Sequence, residues 1–399
     1  MTNLLTPASG PEAADLVRGY FEAARKLRLI GGGTRNSHPL ANVDHLSSVE
    51  ISGIVSYDPA ELVMTARAGT PVAEVEAALS EHGQFLAFEP MDHRPLLGTT
   101  SEPTIGGVFA ANASGPRRFV AGAARDHFLG AVFVNGKGQS VKAGGRVVKN
   151  VTGLDLVKLV AGSRGTLAFL TEVTFRVLPR PKASRTVMIS GTDDEGASAV
   201  MAKAMSLPFD VSAAAHIPAG IKAEAEISVH PVGATFLRIE GSPTSVSQRA
   251  QKLASVFATV GNVSYVDAPI EPRLWTGIRD VVPFAGTPFQ TVWRVSVAPT
   301  AGHRLVRALR REDDVEAYYD WQGGLVWLQF LSGTGAESLR MCIADVGGGH
   351  ATLVRAPAET WAAVNAQRPS SEPISILETR IKEKFDPAGI FSGGSDLER

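Results

Sequence analysis

One cysteine in 399 residues, Cys342, leaves no partner for an intrachain disulfide and far too few thiolates for an iron–sulfur cluster, so any such cluster belongs to another chain. Neither charge sign is in excess. With 39 basic and 40 acidic side chains the net charge is −1, no overall field favours nucleic acid, and the pairs Arg117-Arg118 and Arg310-Arg311 are too short to change that. No apolar run reaches the ~18 residues of a membrane span, and the N-terminus lacks a basic-then-apolar leader, so a cytoplasmic protein is expected. The nine histidines show no paired His or Glu spacing, and no metal is expected. No repeat or low-complexity tract is apparent. What remains, 44% hydrophobic and 20% charged, suits a soluble enzyme or enzyme subunit with two or three domains.

Glycine is abundant, 40 residues, and it is grouped. In Arg28-Leu29-Ile30-Gly31-Gly32-Gly33-Thr34-Arg35-Asn36-Ser37 a short apolar strand ends in three residues without side chains, a turn that can turn consecutive backbone N–H groups toward an anion. A nicotinamide-type Gly-x-Gly-x-x-Gly turn would open a helix, and Pro39 argues against one there. Two further groups lie within residues 98–178. They are Thr104-Ile105-Gly106-Gly107-Val108-Phe109-Ala110-Ala111-Asn112-Ala113-Ser114-Gly115 and Gly162-Ser163-Arg164-Gly165-Thr166-Leu167, the second running into an apolar strand. Together the three groups outline a cradle for a large, flat, anionic cofactor.

The intervening pattern is mixed. Residues 49–57 and 62–66 read as strands paired about Asp58-Pro59-Ala60, and Thr70-Pro71 as the N-cap and first-turn proline of a helix that buries Val72, Val75 and Leu79. Asn135-Gly136-Lys137-Gly138 joins strands 130–134 and 139–143 in a hairpin. After the linker Pro179-Arg180-Pro181, strands alternate with helices; strands 235–240, 291–297 and 325–331 surround a helix begun by Ser242-Pro243 that carries Val246, Ala250, Leu253 and Phe257 on one face. This predicts an antiparallel sheet with helices on one face. Cys342 shares a helical face with Leu339, Ile343 and Val346, a core position. A last helix, 373–385, is expected to bury Ile374, Leu377, Ile381 and Phe385.

Gly69-Thr70, Phe88-Glu89-Pro90, the Ile105-Gly106-Gly107 core and Lys149-Asn150-Val151-Thr152-Gly153-Leu154-Asp155-Leu156 resemble the vanillyl-alcohol-oxidase (PCMH-type) FAD-binding family. Gly115-Pro116-Arg117-Arg118, Gly349-His350-Ala351-Thr352-Leu353 and the closing Phe385-Asp386-Pro387-Ala388-Gly389-Ile390-Phe391 extend the likeness over nearly the whole chain. Within the family it is most similar to the smaller FAD-binding, or E, subunits of bacterial glycolate oxidases. The resemblance implies an α+β fold: a PCMH-type FAD-binding domain over 1–180, of two α+β subdomains (about 1–90 and 91–180), then an antiparallel α+β cap over 184–355 for substrate or subunit contact. A C-terminal segment, 356–399, would pack back on the first domain. It also implies oxidation of glycolate, a small 2-hydroxy acid, to glyoxylate, with a larger FAD-binding subunit and an iron–sulfur subunit as partners. Electrons would pass through the flavin to the iron–sulfur subunit, and membrane association would come only through partners. The FAD is expected to be noncovalent, because Thr34, Arg35, Asn36 and Ser37 separate the turn glycines from His38.

On this resemblance the pyrophosphate lies on backbone N–H groups of Gly31, Gly32, Gly33, Thr34, Arg35 and Asn36. Thr104, Ile105, Gly106, Gly107 and Ala111 run along the ribityl chain and ring; Gly115 allows close approach, and Asn112 and Ser114 offer hydrogen bonds. Gly162, Gly165 and Thr166 meet adenine or pyrophosphate, and Asp155 either shapes a turn or reaches a cofactor hydroxyl. Lys149 is the candidate charge for reduced flavin or else a solvated loop lysine; His350 is a candidate base or a structural histidine. Arg355 and Arg294 are candidates to clamp a carboxylate. Ala168 stands where the family has glycine, and Ser392-Gly393-Gly394 replaces its Asn-Pro-Gly ending. No His-x-His cluster of the kind found in related 2-hydroxy-acid dehydrogenases is present, which leaves open a noncatalytic scaffold that keeps the fold. A stand-alone oxidase of another alcohol or hydroxy acid also remains open.

Overall fold

The computed structural model describes residues 2–35, 43–146, 154–221, 233–364 and 372–392. The chain opens with a small parallel sheet in which Asp44–Ser47 lies between Leu4–Leu5 and Leu27–Ile30. Helix Gly10–Glu22 covers it with Ala13, Ala14 and Val17, and Ser9 caps that helix by accepting the Glu12 N–H. The closing Ile390-Phe391 also belongs to this core. The Leu27 N–H donates to the Ile390 carbonyl and the Ser392 N–H to the Leu27 carbonyl, so the tail fastens the strand that leads into Gly31.

Next comes a five-stranded antiparallel sheet ordered Ile54–Asp58, Val63–Arg67, Phe169–Arg176, Phe128–Val134, Ser140–Gly144. The hairpin at Asn135 forms as its sequence predicts, with Phe128–Val134 paired to Ser140–Gly144. Helices Val72–Glu81 and Ile105–Ala111 pack on this sheet, and Phe109 stacks on Phe128 at 4.5 Å. Two local expectations change. Residues 49–53 are not strand, and Thr70 is no cap: its buried hydroxyl accepts the Gly53 N–H and donates to the Arg67 carbonyl, while the helix begins at Val72.

The third sheet has eight antiparallel strands, and its connectivity shows a repeat that the residues do not. Strand Ala183–Ser190, helix Asp194–Ser206, strands Val211–Pro218 and Gly233–Gly241, helix Pro243–Phe257 and strand Asn262–Tyr265 make a β-α-β-β-α-β unit. Strand Thr291–Ser296, helix Gly302–Leu309, strands Val315–Asp320 and Leu325–Phe330, helix Ala336–Asp345 and strand His350–Arg355 make another in the same order. The two meet where His216 pairs with Tyr319. Helices cover more than the expected single face. The four helices of the two units share one core, which includes Cys342 and the predicted Val246, Ala250, Leu253 and Phe257, whereas Leu274, Trp275 and Ile278 of helix Glu271–Arg279 pack on the opposite face.

The last helix, Glu372–Phe385, departs from its expected burial. Ile374 and Leu377 are 53% and 57% exposed, and only Phe385, stacked on Phe133, reaches the core of the five-stranded sheet. The inner face of this helix ends on a cavity wall, where Glu378, Ile381 and Lys382 lie, so the apolar spacing has no packed surface to meet.

Candidate functional site

The three glycine groups converge on one cavity of about 790 Å³, within the range of a cofactor-sized site. Strand Leu27–Ile30 delivers Gly31, Gly32, Gly33, Thr34 and Arg35 to its wall; helix Ile105–Ala111 and its exit deliver Gly106, Gly107, Ala111, Asn112, Ser114 and Gly115; the turn before Phe169–Arg176 delivers Gly162, Gly165 and Thr166. Thr104 lines it too and caps the helix, its hydroxyl accepting the Gly107 N–H at 3.3 Å. Ile105 is fully buried in the neighbouring core and does not line the cavity. Asn36 and Lys149 lie outside the described residues, as does His38.

The bare glycines serve chain-to-chain packing. A Cβ on Gly32 would sit 1.7 Å from the Glu102 carbonyl oxygen, one on Gly106 2.6 Å from the Ala68 Cβ, and one on Gly115 2.5 Å from the Glu89 carbonyl oxygen. Other glycines join the segments to one another: a Cβ on Gly31 would sit 2.3 Å from the Thr104 hydroxyl, one on Gly165 2.9 Å from the Leu29 Cβ, and one on Gly162 3.4 Å from the Asn112 Cβ. Arg35 joins two of them, donating from Nη1 to the Gly107 carbonyl at 2.5 Å and from Nε to His93 Nδ1 at 3.1 Å. Burial, with Arg35 nearby, holds the His93 imidazole well below its ordinary pKa, and burial with Arg164 nearby lowers the Arg35 guanidinium to about 10. His93 is therefore a neutral acceptor here.

Several expected ligands are already engaged elsewhere. Asn112 sits in the left-handed region at φ 49°, and its Oδ1 accepts the Arg125 N–H; Ser114 accepts the Ala124 N–H and donates to the Asn112 carbonyl. The Thr166 hydroxyl donates to the Ser163 carbonyl. Asp155 takes the turn-shaping role: it caps helix Leu156–Val160 through the Lys158 N–H and does not line the cavity. Ala168 is buried at the cavity edge.

Two catalytic candidates are not brought to the site. His350 is exposed at the start of its strand and absent from the cavity wall. Arg355 is buried away from it: its guanidinium donates to the carbonyls of Leu96, Phe284 and Gln290 and to the Gln329 side chain, a knot that fixes loops around the strand end. Arg294 does line the cavity, with Trp327 and Thr352 beside it in register on the two neighbouring strands. Burial, with Arg118 and Arg164 close, lowers its guanidinium to about 10.

Sequence reasoning missed Asp320 and Trp321. Asp320 ends a strand on the cavity wall, and burial pushes its carboxyl up to about 7 although the Trp321 N–H donates to it at 2.7 Å. Trp321 and Gln322 follow in the left-handed region at φ 50° and 63°, an unfavourable place for a bulky residue. The Trp321 indole N–H donates to the Gly115 carbonyl at 2.9 Å, tying the cap sheet to the glycine segment. Charge bridges the same seam: Glu89 accepts from Arg238 at 2.9 Å and from the Arg117 N–H at 3.2 Å, and Arg117 pairs with Glu240.

Comparison with known proteins names the cofactor of the chain. Residues 2–144 match the family described as FAD binding domain. Glycolate oxidase subunit GlcE of Escherichia coli (strain K12) is 33% identical over 343 residues, which cover 86% of this chain and 84% of that one. The chain belongs to the GlcE family. Its cofactor is FAD, and the glycine-walled cavity fits it. Glycolate oxidase subunit GlcD of Bacillus subtilis (strain 168) is 28% identical over 169 residues, 42% of this chain and 33% of that one. Among solved structures, p-cresol methylhydroxylase with substrate bound superposes with a TM-score of 0.72 at 13% identity, covering 98% of this chain and 88% of the other. That likeness establishes the PCMH-type fold.

Proposed function

We propose that this chain is the FAD-binding subunit of a glycolate oxidase complex, acting in the oxidation of glycolate to glyoxylate beside a larger FAD-binding subunit. The observation that carries this reading is the convergence of three glycine segments on one cavity in a GlcE-family chain. FAD, when bound, supplies the two-electron acceptor for the alcohol carbon. Backbone N–H groups of 31–35 and 162–166 hold the pyrophosphate. Arg294, from the cap sheet, orients the acid, and Asp320, titrating near neutral pH on the same wall, can hold a proton at its carboxyl oxygen. Any iron–sulfur cluster that would accept the electrons would lie on a partner subunit, since the one thiol of this chain, Cys342, cannot ligate a cluster by itself.

A second reading, a noncatalytic subunit that keeps FAD while its larger partner oxidises glycolate, is favoured by the histidines. His93 alone lines the cavity among the described residues, and it is neutral and engaged with Arg35. Anaerobic mixing with glycolate separates the two. The isolated chain is expected to purify yellow with noncovalent FAD and to bleach slowly, and to bleach faster with its partner subunits. A colourless folded chain that takes up no added FAD overturns both readings; rapid bleaching alone removes the second.

A further inference from the structure

We propose that Arg294 and Arg118, both packed on the ring of Trp321, form the seat for the carboxylate of a small organic acid. The proposal rests on the FAD reading above and names the substrate class of that cavity.

Both arginines line the cavity, and neither has an ion pair or a side-chain hydrogen bond among the described residues. Their guanidinium carbons lie over the Trp321 ring at 4.8 Å for Arg294 and 4.4 Å for Arg118. By contrast, other arginines at the same seam are paired: Arg279 with Asp280, Arg117 with Glu240, Arg238 with Glu89. Asp320 attracts Arg294 and Asp126 attracts Arg118 only at longer range, with no hydrogen-bonded pair formed, so two half-buried guanidinium groups facing one cavity favour a bound anion there.

Their mount is rigid. Trp321 is pinned from the cap side, where its N–H meets Asp320, and from the flavin side, where its indole meets Gly115. Arg294 comes from the cap sheet and Arg118 from the flavin half, so the seat forms where the halves meet. The register puts Thr352 beside Arg294 on the adjacent strand, and it too lines the cavity, so a hydroxyl-bearing side chain stands next to the charge. A planar fork held on an aromatic face suits the two coplanar oxygens of a carboxylate, with a hydroxyl-bearing substituent alongside. The cofactor's phosphates have the backbone amides of the glycine segments instead.

Calorimetric titration of the FAD-loaded full chain with oxalate, and with uncharged glycolamide, tests this. Oxalate is expected to bind and glycolamide not. Arg294→Met should weaken oxalate binding at least 30-fold and Arg118→Met at least 5-fold, both with unchanged FAD content, and Arg294→Lys should fall between wild type and Arg294→Met. Unchanged oxalate affinity in a folded Arg294→Met protein overturns the seat. Loss of FAD from Arg294→Met also overturns it, by assigning that charge to the cofactor's own anion. Should the chain hold no FAD, the cofactor reading fails separately, and tryptophan emission still reports the seat: oxalate should quench wild type but not Arg294→Met, and no quenching of wild type sinks it.

Discussion

Replacing Asp320 by Asn isolates the energetic consequence of a carboxyl kept on the cavity wall. Burial raises its pKa from an ordinary 3.8 to about 7, the nearby Glu89 adds to the rise, and the Trp321 N–H, Arg238 and Arg294 oppose it. A raised folded-state value gives stability that is complete below the unfolded pKa and is lost as pH climbs through about 7. Between pH 5 and pH 7 the folded carboxyl keeps its proton and the unfolded one does not, so stability falls by about 1.4 kcal/mol per unit, about 3 kcal/mol in all. Asn keeps an oxygen for the Trp321 N–H and has nothing to titrate. Urea unfolding of wild type and Asp320→Asn at pH 5 and pH 8, with FAD in fixed excess, cancels the contribution of every other group. Wild type should lose about 3 kcal/mol more than the variant over that interval. Equal losses, to within about 0.5 kcal/mol, would refute the buried-carboxyl argument.

Two further changes probe the frame. Gly32→Ala drives a methyl into the Glu102 carbonyl, where backbone must move; it should destabilise by about 2 kcal/mol or more and strip FAD, read as a lower melting temperature and a lower flavin-to-protein ratio. Arg355→Met leaves the Leu96, Phe284 and Gln290 carbonyls without their donor and should cost on the order of 3 kcal/mol in urea, while oxalate affinity per folded molecule stays unchanged.

The cofactor half was legible because its chemistry is local. The grouped glycines and the Asn135 hairpin depend on residues a few positions apart and are found where the sequence puts them, whereas the cap read at Thr70 is not formed, because that hydroxyl is taken by the Gly53 N–H and the Arg67 carbonyl. The cap half was not, because facing depends on strand register. Arg294 and Arg355 are both arginines on apolar strands, indistinguishable by pattern, yet register turns one to the cavity and the other into the loops at 284–290. Asp320 and Trp321 carried one readable sign, the tight Trp321-Gln322-Gly323-Gly324 turn, but nothing in it says which wall it abuts. Ile374 and Leu377 show the reverse error. Their spacing is helical and the helix forms, but spacing cannot supply a surface to bury them.

The paired architecture of the cap sheet carries a division of labour. Among the described residues, each cap-sheet residue on the cavity wall, including Arg294, Asp320, Trp327 and Thr352, comes from the second β-α-β-β-α-β unit, and none comes from the first. The twins thus meet the first domain in two ways: the second walls the cofactor chamber, while the first docks beside it through the Arg238 and Glu240 charges and through Ala213, Ala215 and Ile217, which share a core with Met91 and Leu96.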